Sequence, residues 1–420
     1  MQVAIVGGGV GGLTLALELH DAGIECTIYE AVSRIEPLGV GINLMPHAVA
    51  VLDRHGLQQT LTDVGIATKE AVFANRFGQI IHRAPAGMAG GFAFPQISIH
   101  RGDLQTALLD AVQERLPEGT IRTGHRCTAV SQTDHSVTLS FASPTGAKLP
   151  DETADVVIGC DGVHSVVRKQ YHPNEGEPRY SGINMWRGAT PWEPFLSGAS
   201  MLRAGWFDPG KMVIYPIRDN IDAQGRQLVN WAAEVQSPRH PDREWNRTGD
   251  IEDFIHIFED WSFDWLDVPA LIRSTERVLE YPMVDQDPLD RWTFGRASLL
   301  GDAAHPMVPR GSNGAGQAVL DARVLAAALK EHPDDPALAL RQYESERLPA
   351  TAQVVLTNRQ APPDILLKEV LDRTGDVPFA DIDDVISREE IAAIQDRYNQ
   401  VSGASKVVSA AAMPEGGAAR

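Results

Sequence analysis

The chain of 420 residues has little cysteine, and its three cysteines are far apart. Cys26, Cys127 and Cys160 match no metal-ligand spacing, so the sequence predicts neither a metal site nor a disulfide framework. Cys26 and Cys160 lie in apolar runs, which favours buried, unreactive thiols. Cysteine usage this sparse is typical of a reducing compartment.

Positive charge and long hydrophobic runs are also scarce. The chain has 56 Asp and Glu against 37 Lys and Arg, a formal charge of −19 that repels nucleic-acid phosphates and anionic lipid. No run approaches the roughly eighteen apolar residues of a membrane span, and the N-terminus lacks the basic leader of a signal peptide. We expect a cytoplasmic protein without nucleic-acid partners, in which an anionic substrate would need locally placed arginines.

What the sequence does have is a glycine turn at its start. The apolar run Val3–Val6 precedes Gly7-x-Gly9-x-x-Gly12, and a leucine-rich helical pattern follows. This order predicts strand, turn and helix. The glycines would allow the sharp turn, the approach of a pyrophosphate and the close packing of the helix on the sheet. The helix N-terminus would then favour the negative charge of the phosphates.

A carboxylate at the expected distance supports this interpretation. A second strand is predicted at Ile24–Tyr29, and Glu30 ends it. An acid about twenty residues beyond the glycines suits the hydroxyl pair of a ribose. A plain βαβ turn with Glu30 on the surface is the alternative. The pattern favours a site for an adenine dinucleotide.

Other segments point to the same crevice. Arg101 lies near a predicted helix start, where a cation is unfavourable unless an anion such as phosphate binds there; a solvated arginine is the alternative. Two buried strands end in Asp161 and Asp302, at the sheet edge where ligands gather. Ser165 is predicted to cap the helix that carries Arg168. A glycine-rich turn after Asp302 leads into another helix N-terminus.

Three motifs in this order resemble the group A flavoprotein aromatic monooxygenases, with the para-hydroxybenzoate hydroxylase-like fold. They are the glycine turn with Glu30, the stretch Cys160-Asp-Gly-Val-His-Ser ending at Arg168, and Leu300-Gly-Asp-Ala-Ala-His-Pro-Met. The resemblance runs from Met1 to about Leu348. Further stretches are similar to the phenazine-biosynthesis branch of the family, which acts on 5-methylphenazine-1-carboxylate: Pro37-Leu-Gly-Val-Gly-Ile-Asn-Leu, Ile183-Asn-Met-Trp-Arg-Gly, Tyr281-Pro-Met-Val-Asp-Gln-Asp-Pro and Gly311-Ser-Asn-Gly-Ala.

The fold class expected from the motifs and the resemblance is α/β with α+β elements. A Rossmann-like FAD-binding domain would comprise residues 1–67, 98–178 and 284–350. Aromatic-rich alternating runs at residues 183–188, 211–217 and 227–235 predict antiparallel strands, in a substrate domain of residues 68–97 and 179–283. C-terminal helices would occupy residues 351–402, followed by a disordered tail at residues 403–420.

The resemblance implies roles for matching residues. Asp302 would bind the ribitol hydroxyls, Cys127 would lie by the adenine, and the Gly314–Gly316 turn would present N–H groups to the pyrimidine edge of the flavin. Asp161 and Arg168 belong to a motif tied to both FAD and the pyridine nucleotide. The full set expected to bind FAD is Gly7, Gly9, Val10, Gly12, Glu30, Ala31, Gly41, Ile42, Arg101, Gln105, Cys127, Asp161, Arg168, Asp302, Pro309, Gly314, Ala315 and Gly316.

The resemblance also implies a reaction. NADH or NADPH would reduce FAD, molecular oxygen would form a C4a-hydroperoxide, and an aromatic or N-heteroaromatic substrate would be hydroxylated. The protein would supply position, dryness and charge. Many family members carry Gln-Gly and Glu-Asp where this chain has Gly311-Ser312 and Leu320-Asp321, which argues against a salicylate- or hydroxybenzoate-type substrate. A flavin oxidase or dehydrogenase and a non-catalytic redox sensor are the alternatives.

Catalytic residues are less determined by the pattern. Tyr215, Pro309 and Asn43 are the candidates. Tyr215 could donate a hydrogen bond to the substrate or pack in the core, and Pro309 would border the reacting face. Asn43 could offer its amide to a ligand or cap a helix. His305 is a base or a structural residue. Arg187 and Arg310 could pair a substrate carboxylate or be solvated. The pattern leaves the oligomeric state open between monomer and dimer.

Overall fold

The computed structural model describes residues 1–37, 39–237 and 247–402. The tail from residue 403, which we expect to be disordered, lies outside these residues. The strands in chain order are β1 Gln2–Val6, β2 Glu25–Tyr29, β3 Gly41–Leu44, β4 Ile66–Thr68, β5 Glu70–Ala74, β6 Ile80–Pro85, β7 Gln96–His100, β8 Ile121–Arg122, β9 Arg126–Gln132, β10 Val137–Ala142, β11 Glu152–Ala154, β12 Val156–Gly159, β13 Arg179–Trp192, β14 Ser200–Trp206, β15 Gly210–Arg218, β16 Gln227–Gln236, β17 Arg247–Thr248, β18 Ser262–Phe263, β19 Leu266–Asp267, β20 Leu279–Asp285 and β21 Ala297–Leu299.

The last α-helix ends at residue 402, the last residue that the structure describes. The α-helices are α1 Val10–Asp21, α2 Pro46–Asp53, α3 Leu57–Val64, α4 Arg101–Arg115, α5 Val166–Tyr171, α6 Val268–Arg273, α7 Gly314–Glu331, α8 Pro336–Gln360, α9 Ile365–Thr374 and α10 Arg388–Ser402. Within these described residues, no helix has the length and apolarity that a membrane crossing requires.

The first sheet is parallel, with the order β21-β12-β1-β2-β8. Its central strands are apolar and almost wholly buried because helices cover them, as expected for a parallel sheet. β1 lies between β2 and β12, with Val6 opposite Tyr29 on one side and Gly159 on the other. The ends of β1, β2, β12 and β21 therefore meet at one edge, and this edge carries the glycine turn and the three predicted acids.

The second large sheet is mostly antiparallel and follows the order β17-β20-β13-β16-β15-β14-β5-β6. The three aromatic-rich runs predicted as antiparallel strands lie in its centre, in β13, β15 and β16. One face packs against the segment of residues 251–273 through a buried aromatic cluster that includes Trp231, Phe254 and Trp261. The opposite face, which carries Met185, Arg187, Tyr215, Asn230 and Ala232, we call the inner face.

Smaller sheets accompany the two large ones. The antiparallel sheet β3-β7-β4 holds the segment Gly41–Leu44 against β7, and β9, β10 and β11 form a further antiparallel sheet. The inner face packs against the segment that follows β21, where Val308 joins a buried cluster with Met185 and Ala232. The predicted fold class is confirmed: a parallel sheet with helices, a second antiparallel sheet and C-terminal helices. The domain boundaries stay a prediction.

Candidate active site

The glycine turn closes on itself so tightly that two of its glycines have no room for a side chain. Gly7 has φ +108°, and its N–H donates to the Tyr29 carbonyl at 2.8 Å. A Cβ added to Gly7 would lie 2.4 Å from the Cys160 carbonyl oxygen, and one added to Gly12 would lie 2.1 Å from the Gly7 carbonyl oxygen. Backbone contact, and not a ligand, therefore requires glycine at these two positions.

Gly9 is different because its open side faces free space. A Cβ there would meet no heavy atom within 4 Å among the described residues. Gly9 is the N-cap of α1, and Val10 is the first residue of that helix. The first N–H groups of a helix have no intrahelical partner and favour an anion. The turn thus combines free backbone donors with open space, and this fits a dinucleotide pyrophosphate.

Glu30 and Gln105 meet at the second residue of the turn. Glu30 accepts hydrogen bonds from the Gly8 N–H at 2.7 Å and from the Val32 N–H at 3.0 Å. The Gln105 side-chain amide donates to the Gly8 carbonyl at 2.9 Å. Because an ionised carboxylate has about four acceptor positions, Glu30 can hold the turn and still accept from a ribose. Ala31 follows it and is exposed.

Arg101 opens α4, as predicted, but the cap of this helix is one that the sequence pattern did not indicate. The N-cap is His100, whose Nδ1 accepts from the Gly102 N–H at 3.2 Å, while its Nε2 contacts the Gly39 carbonyl at 3.0 Å. Arg101 is exposed beside Gly39. Burial raises the pKa of the Asp302 carboxyl and the Arg101 charge opposes that rise, so the arginine and this acid share one electrostatic environment.

Asp302 lies in the crevice beyond β21. The side chain touches solvent, yet the protein packed around it raises the pKa of its carboxyl, with His305 and Arg101 opposing that shift. α7 begins next to it, because a Cβ on Gly314 would lie 3.8 Å from Asp302 Oδ1. Asp302 and the Gly314–Gly316 helix start are thus adjacent, as a ligand that uses both would require.

Asp161 organises the second motif at the same sheet edge. Its carboxylate accepts from the Ser165 hydroxyl at 2.5 Å and the Val166 N–H at 2.7 Å. Ser165 in turn accepts from the Arg168 N–H at 2.9 Å, which makes it the cap predicted for α5. Burial raises the pKa of Asp161, and these hydrogen bonds oppose the rise.

Arg168 links two motifs instead of pointing to open space. It donates to the carbonyls of Ala303 and Ala304 at 2.9 and 2.8 Å, and it forms an ion pair with Glu175. The residue is only 4% exposed. Its contacts position the turn that carries Asp302, and a direct contact with a cofactor stays a prediction.

His305 belongs to a buried network that holds the start of α7. Its Nε2 lies 2.6 Å from Asp321 Oδ2, and Arg347 donates to Asp321 Oδ1 at 2.8 Å and to Gln317 at 2.6 Å. Burial raises the pKa of the Asp321 carboxyl, but His305 and Arg347 outweigh it and the net shift is downward. This supports the structural alternative for His305. Nothing in the sequence pattern had pointed to Arg347.

The backbone of Gly41 is held on both sides by the inner face. Its carbonyl accepts from the Tyr215 hydroxyl at 2.9 Å and from Arg187 Nη2 at 2.5 Å, and its N–H donates to Asn230 at 2.8 Å. A Cβ on Gly41 would lie 2.7 Å from Ile217 and Asn230 carbon atoms. Tyr215 is buried, and its predicted substrate contact stays a prediction. Asn230 was missed because an asparagine in a strand carries no sequence signal.

Asn43 and Pro309 are the other two predicted catalytic residues. Asn43 is buried and accepts from the Ser98 hydroxyl at 2.5 Å. It does not cap α2, because the N-cap of that helix is Met45, so that alternative was wrong. Pro309 is exposed, and Ile42 is half-buried within β3. Their contacts with a flavin or a substrate stay predictions.

Cys127 lies near the second motif. It is buried in β9, and burial together with the Asp161 charge raises the pKa of its thiol to about 12. Burial also raises the pKa of the Cys26 thiol to about 12. Both thiols are therefore neutral and unreactive at neutral pH. The place of Cys127 beside the adenine remains a prediction.

A buried charge cluster occupies the other end of the inner face. Lys211 Nζ lies 2.9 Å from Glu234 and 2.5 Å from Asp364, and Arg203 Nε lies 2.9 Å from Asp364. Arg310 sits over the Phe207 ring at 4.6 Å. These cations already have carboxylate or aromatic partners. Arg187 Nε and Arg310 Nε are both buried without a hydrogen-bond partner among the described residues.

Comparison with known proteins identifies the family of this chain. The family described as FAD binding domain matches residues 1–358. The chain belongs to the FAD binding domain family. It is 42% identical to phenazine 1,6-dicarboxylic acid hydroxylase of Lysobacter antibioticus, over 85% of this chain and 89% of that enzyme. It is 30% identical to 6-hydroxynicotinate 3-monooxygenase of Pseudomonas fluorescens, over 84% of this chain and 89% of that enzyme.

Solved structures share the fold. Klebsiella pneumoniae HpxO, complexed with FAD and uric acid, superimposes with a TM-score of 0.74 over 99% of this chain and 98% of its own, at 22% identity. A salicylate hydroxylase substrate complex gives a TM-score of 0.73 over 100% and 99%, also at 22% identity. The predicted enzyme class, a flavoprotein aromatic hydroxylase that uses FAD, is confirmed. The resemblance to phenazine monooxygenases is supported, whereas the particular substrate stays a prediction.

Proposed function

We propose that this protein is an NAD(P)H-consuming monooxygenase that hydroxylates a phenazine-like aromatic carboxylate in the cytoplasm. The observation that carries the proposal is the pairing of two helix starts, at Gly9 and Gly314, with Asp302 between the sheet edge and α7. FAD, when bound, would accept electrons from NADH or NADPH and activate molecular oxygen. The oxygen-transfer route is the one that the family resemblance implies.

The residues present fit that cofactor. Open backbone donors at Gly9 suit the pyrophosphate, Glu30 retains acceptor positions for a ribose, and Asp302 stands beside the N–H groups of α7. Arg101 adds a positive charge to the crevice. We assign FAD to these residues, with Val10, Gln105 and the Gly41–Ile42 backbone completing the contacts.

The substrate class follows from the inner face and from the relatives. Both curated relatives described above carry a carboxylic acid in the name of the compound on which they act. On the inner face, Arg187 has an unpartnered, buried Nε beside Tyr215. A guanidinium binds a carboxylate strongly because charge and planar geometry both match. We therefore propose Arg187 as the partner of a substrate carboxylate, with Tyr215 beside it.

The apolar part of the inner face suits a fused aromatic ring. Met185, Ala232, Met283 and Val308 form a buried cluster there, with Tyr281 and Val213 partly buried beside it. Apolar walls with few polar groups are typical of small-molecule sites. They would also keep water from the reacting atoms and so limit the wasteful release of hydrogen peroxide.

The test is turnover by the purified, FAD-loaded protein. We expect aromatic carboxylates of the phenazine class to accelerate NADH or NADPH oxidation, with hydroxylated product matching the nucleotide consumed and little hydrogen peroxide. Peroxide with an oxidised but not oxygenated product would favour a flavin oxidase. Bound FAD without turnover on any aromatic would favour a redox sensor. Either result would overturn the proposal.

The assignment of Arg187 has its own test. Arg187→Gln should raise KM for phenazine-1-carboxylate by about tenfold or more, since a charge-assisted hydrogen bond is lost. Unsubstituted phenazine, which has no carboxylate, should be affected much less. Arg226→Gln, on an exposed turn of the same sheet, is the matched control and should leave both KM values unchanged. Equal effects on both compounds would exclude carboxylate recognition by Arg187.

A further inference from the structure

A contact from the last described helix reaches the start of α7. Tyr398 lies in α10, beyond residue 358 where the family match ends, and it is 8% exposed. Its hydroxyl accepts a hydrogen bond from Asn313 Nδ2 at 2.7 Å and donates one to Asn358 Oδ1 at 2.8 Å. One hydroxyl thus joins three segments that are far apart in the chain.

The turn before α7 is shaped around this hydroxyl. Gly311 has φ +70°, and a Cβ placed on it would lie 1.7 Å from the Tyr398 oxygen. Any side chain at position 311 would therefore expel the Tyr398 hydroxyl. The close fit shows that Tyr398 occupies a defined place in this turn and is not a loosely attached surface residue.

Asn313, the partner of Tyr398, is the N-cap of α7 and precedes the Gly314–Gly316 turn directly. Its side-chain amide also donates to the Arg310 carbonyl at 3.2 Å. With its N–H₂ group held by two acceptors, the Asn313 side chain has one orientation. The side chain makes no cap hydrogen bond to α7, so it acts by fixing the backbone through which the chain enters the helix, where the first N–H groups are free.

Tyr398 is itself held by a well-anchored segment. Asn358 lies near the end of α8, and Asp364, just before α9, forms ion pairs with Lys211 and Arg203 on the inner face. The C-terminal helices are thus attached to the antiparallel sheet, and Tyr398 connects that attachment to α7. Burial raises the pKa of the Tyr398 hydroxyl, so it remains a neutral donor and acceptor at neutral pH.

We infer that Tyr398 is a positioning residue for FAD: through Asn313 it orients the N–H groups of the Gly314–Gly316 helix start toward the isoalloxazine ring. The inference rests on the proposed function, since it assumes that this helix start binds FAD. Tyr398 lies outside the region that matches the family, so the inference gives α10 a part in cofactor binding.

The test is Tyr398→Phe in the full-length protein, which removes one oxygen atom and keeps the ring. FAD titration should show a dissociation constant raised about threefold to tenfold, as the loss of about one net hydrogen bond to the site predicts. The visible absorption bands of bound FAD should shift, and more hydrogen peroxide should form for each NAD(P)H oxidised. A purely structural role would lower the melting temperature and leave the flavin spectrum unchanged.

Tyr171→Phe is the matched control, because it also removes a hydroxyl with a hydrogen-bond partner, Gln132, on an exposed part of the surface. It should leave FAD affinity and spectrum unchanged. Asn358→Ala removes the acceptor of the Tyr398 hydroxyl, and it should act in the same direction as Tyr398→Phe. This variant keeps the inference testable if Tyr398→Phe does not fold.

The pathway through Asn313 is tested by a double-mutant cycle. If Tyr398 acts by orienting Asn313, then Tyr398→Phe should add little to the loss of FAD affinity in Asn313→Ala. Additive losses, or a Tyr398→Phe protein identical to wild type in affinity and spectrum, would overturn the inference. Wild-type protein that binds FAD but oxygenates no aromatic would end the proposed function, and the Tyr398 measurements would still stand.

Discussion

The crevice of the parallel sheet and the inner face of the antiparallel sheet are built in different ways. In the crevice, backbone atoms of short contiguous motifs approach one another, as where a Cβ on Gly12 would lie 2.1 Å from the Gly7 carbonyl. On the inner face, long side chains from different strands make the contacts. Arg187 and Tyr215, for example, both donate hydrogen bonds to the Gly41 carbonyl. The glycine turn of the crevice depends on the absence of side chains, whereas the inner face depends on their presence.

This difference teaches where each function resides. A backbone-lined crevice suits the phosphates and hydroxyls of a dinucleotide cofactor. Side chains differ in shape and charge, and the inner face is where we propose that substrate preference is set. The following substitutions test that contrast, from the largest expected effect to the smallest.

Gly12→Val should have the largest effect. The added carbon atoms would overlap the Gly7 carbonyl, and α1 cannot move away without losing its packing on β1. We expect a loss of more than about 4 kcal/mol in unfolding free energy, at the upper end of single substitutions. Gly9→Ala, which faces open space, should leave the apoprotein stable and weaken FAD binding alone. Chemical denaturation without and with FAD would measure both.

Asp364→Ala should rank second. It removes the carboxylate partner of Arg203 and one of the two carboxylate partners that the described residues give Lys211, and an uncompensated buried charge costs about 3 to 5 kcal/mol. Asp372→Ala is a suitable control, since its ion pair with Lys368 is exposed on α9 and such pairs contribute little. If denaturation midpoints of the two variants agreed, the charge cluster would have no structural importance.

His47 should make stability depend on pH. It is fully buried, and burial with the Arg347 charge lowers the pKa of its imidazole from 6.5 to about 4. Between these values the unfolded chain binds a proton that the folded protein does not, so stability is complete above pH 6.5 and falls as the pH drops toward 4. The loss is at most about 3 kcal/mol, at about 1.4 kcal/mol per pKa unit.

The measurement for His47 is the difference in unfolding free energy between wild type and His47→Asn over that pH range. Carboxylates titrate equally in both proteins and cancel in the difference. The gap between the two proteins should narrow as the pH falls. A constant gap from pH 7 to pH 4 would show that the imidazole binds its proton equally well in the folded and the unfolded protein, contrary to the prediction.

Tyr215→Phe should have the smallest effect on stability, about 1 kcal/mol, because one buried hydrogen bond to the Gly41 carbonyl is lost. Arg187 still donates to that carbonyl. If the Tyr215 hydroxyl also contacts the substrate, Tyr215→Phe should reduce turnover more than it reduces stability. Comparing KM and kcat with the denaturation midpoint separates these roles; unchanged kinetics would restrict Tyr215 to packing.

The sequence pattern went furthest where function depends on contiguous residues. The turn at Gly7–Gly12, Glu30 at the end of β2 and Ser165 as the cap of α5 were all predicted from local spacing. The sequence pattern did not predict contacts between residues that are far apart in the chain. Asn230, which holds Gly41, and Tyr398, which holds Asn313, are examples.

By itself, the sequence determined the parallel sheet, the glycine turn and the acids at its edge, because strand, turn and helix propensities are local properties and each motif spans only a few residues. Only the tertiary structure decided which side chains face the crevice. Arg168 binds backbone carbonyls, His305 contacts a buried acid, and Tyr398 contacts the N-cap residue of a helix. The partners in these contacts are 16 to 136 residues apart in the chain. Such contacts arise from packing, and packing has no signature in any short stretch of the chain.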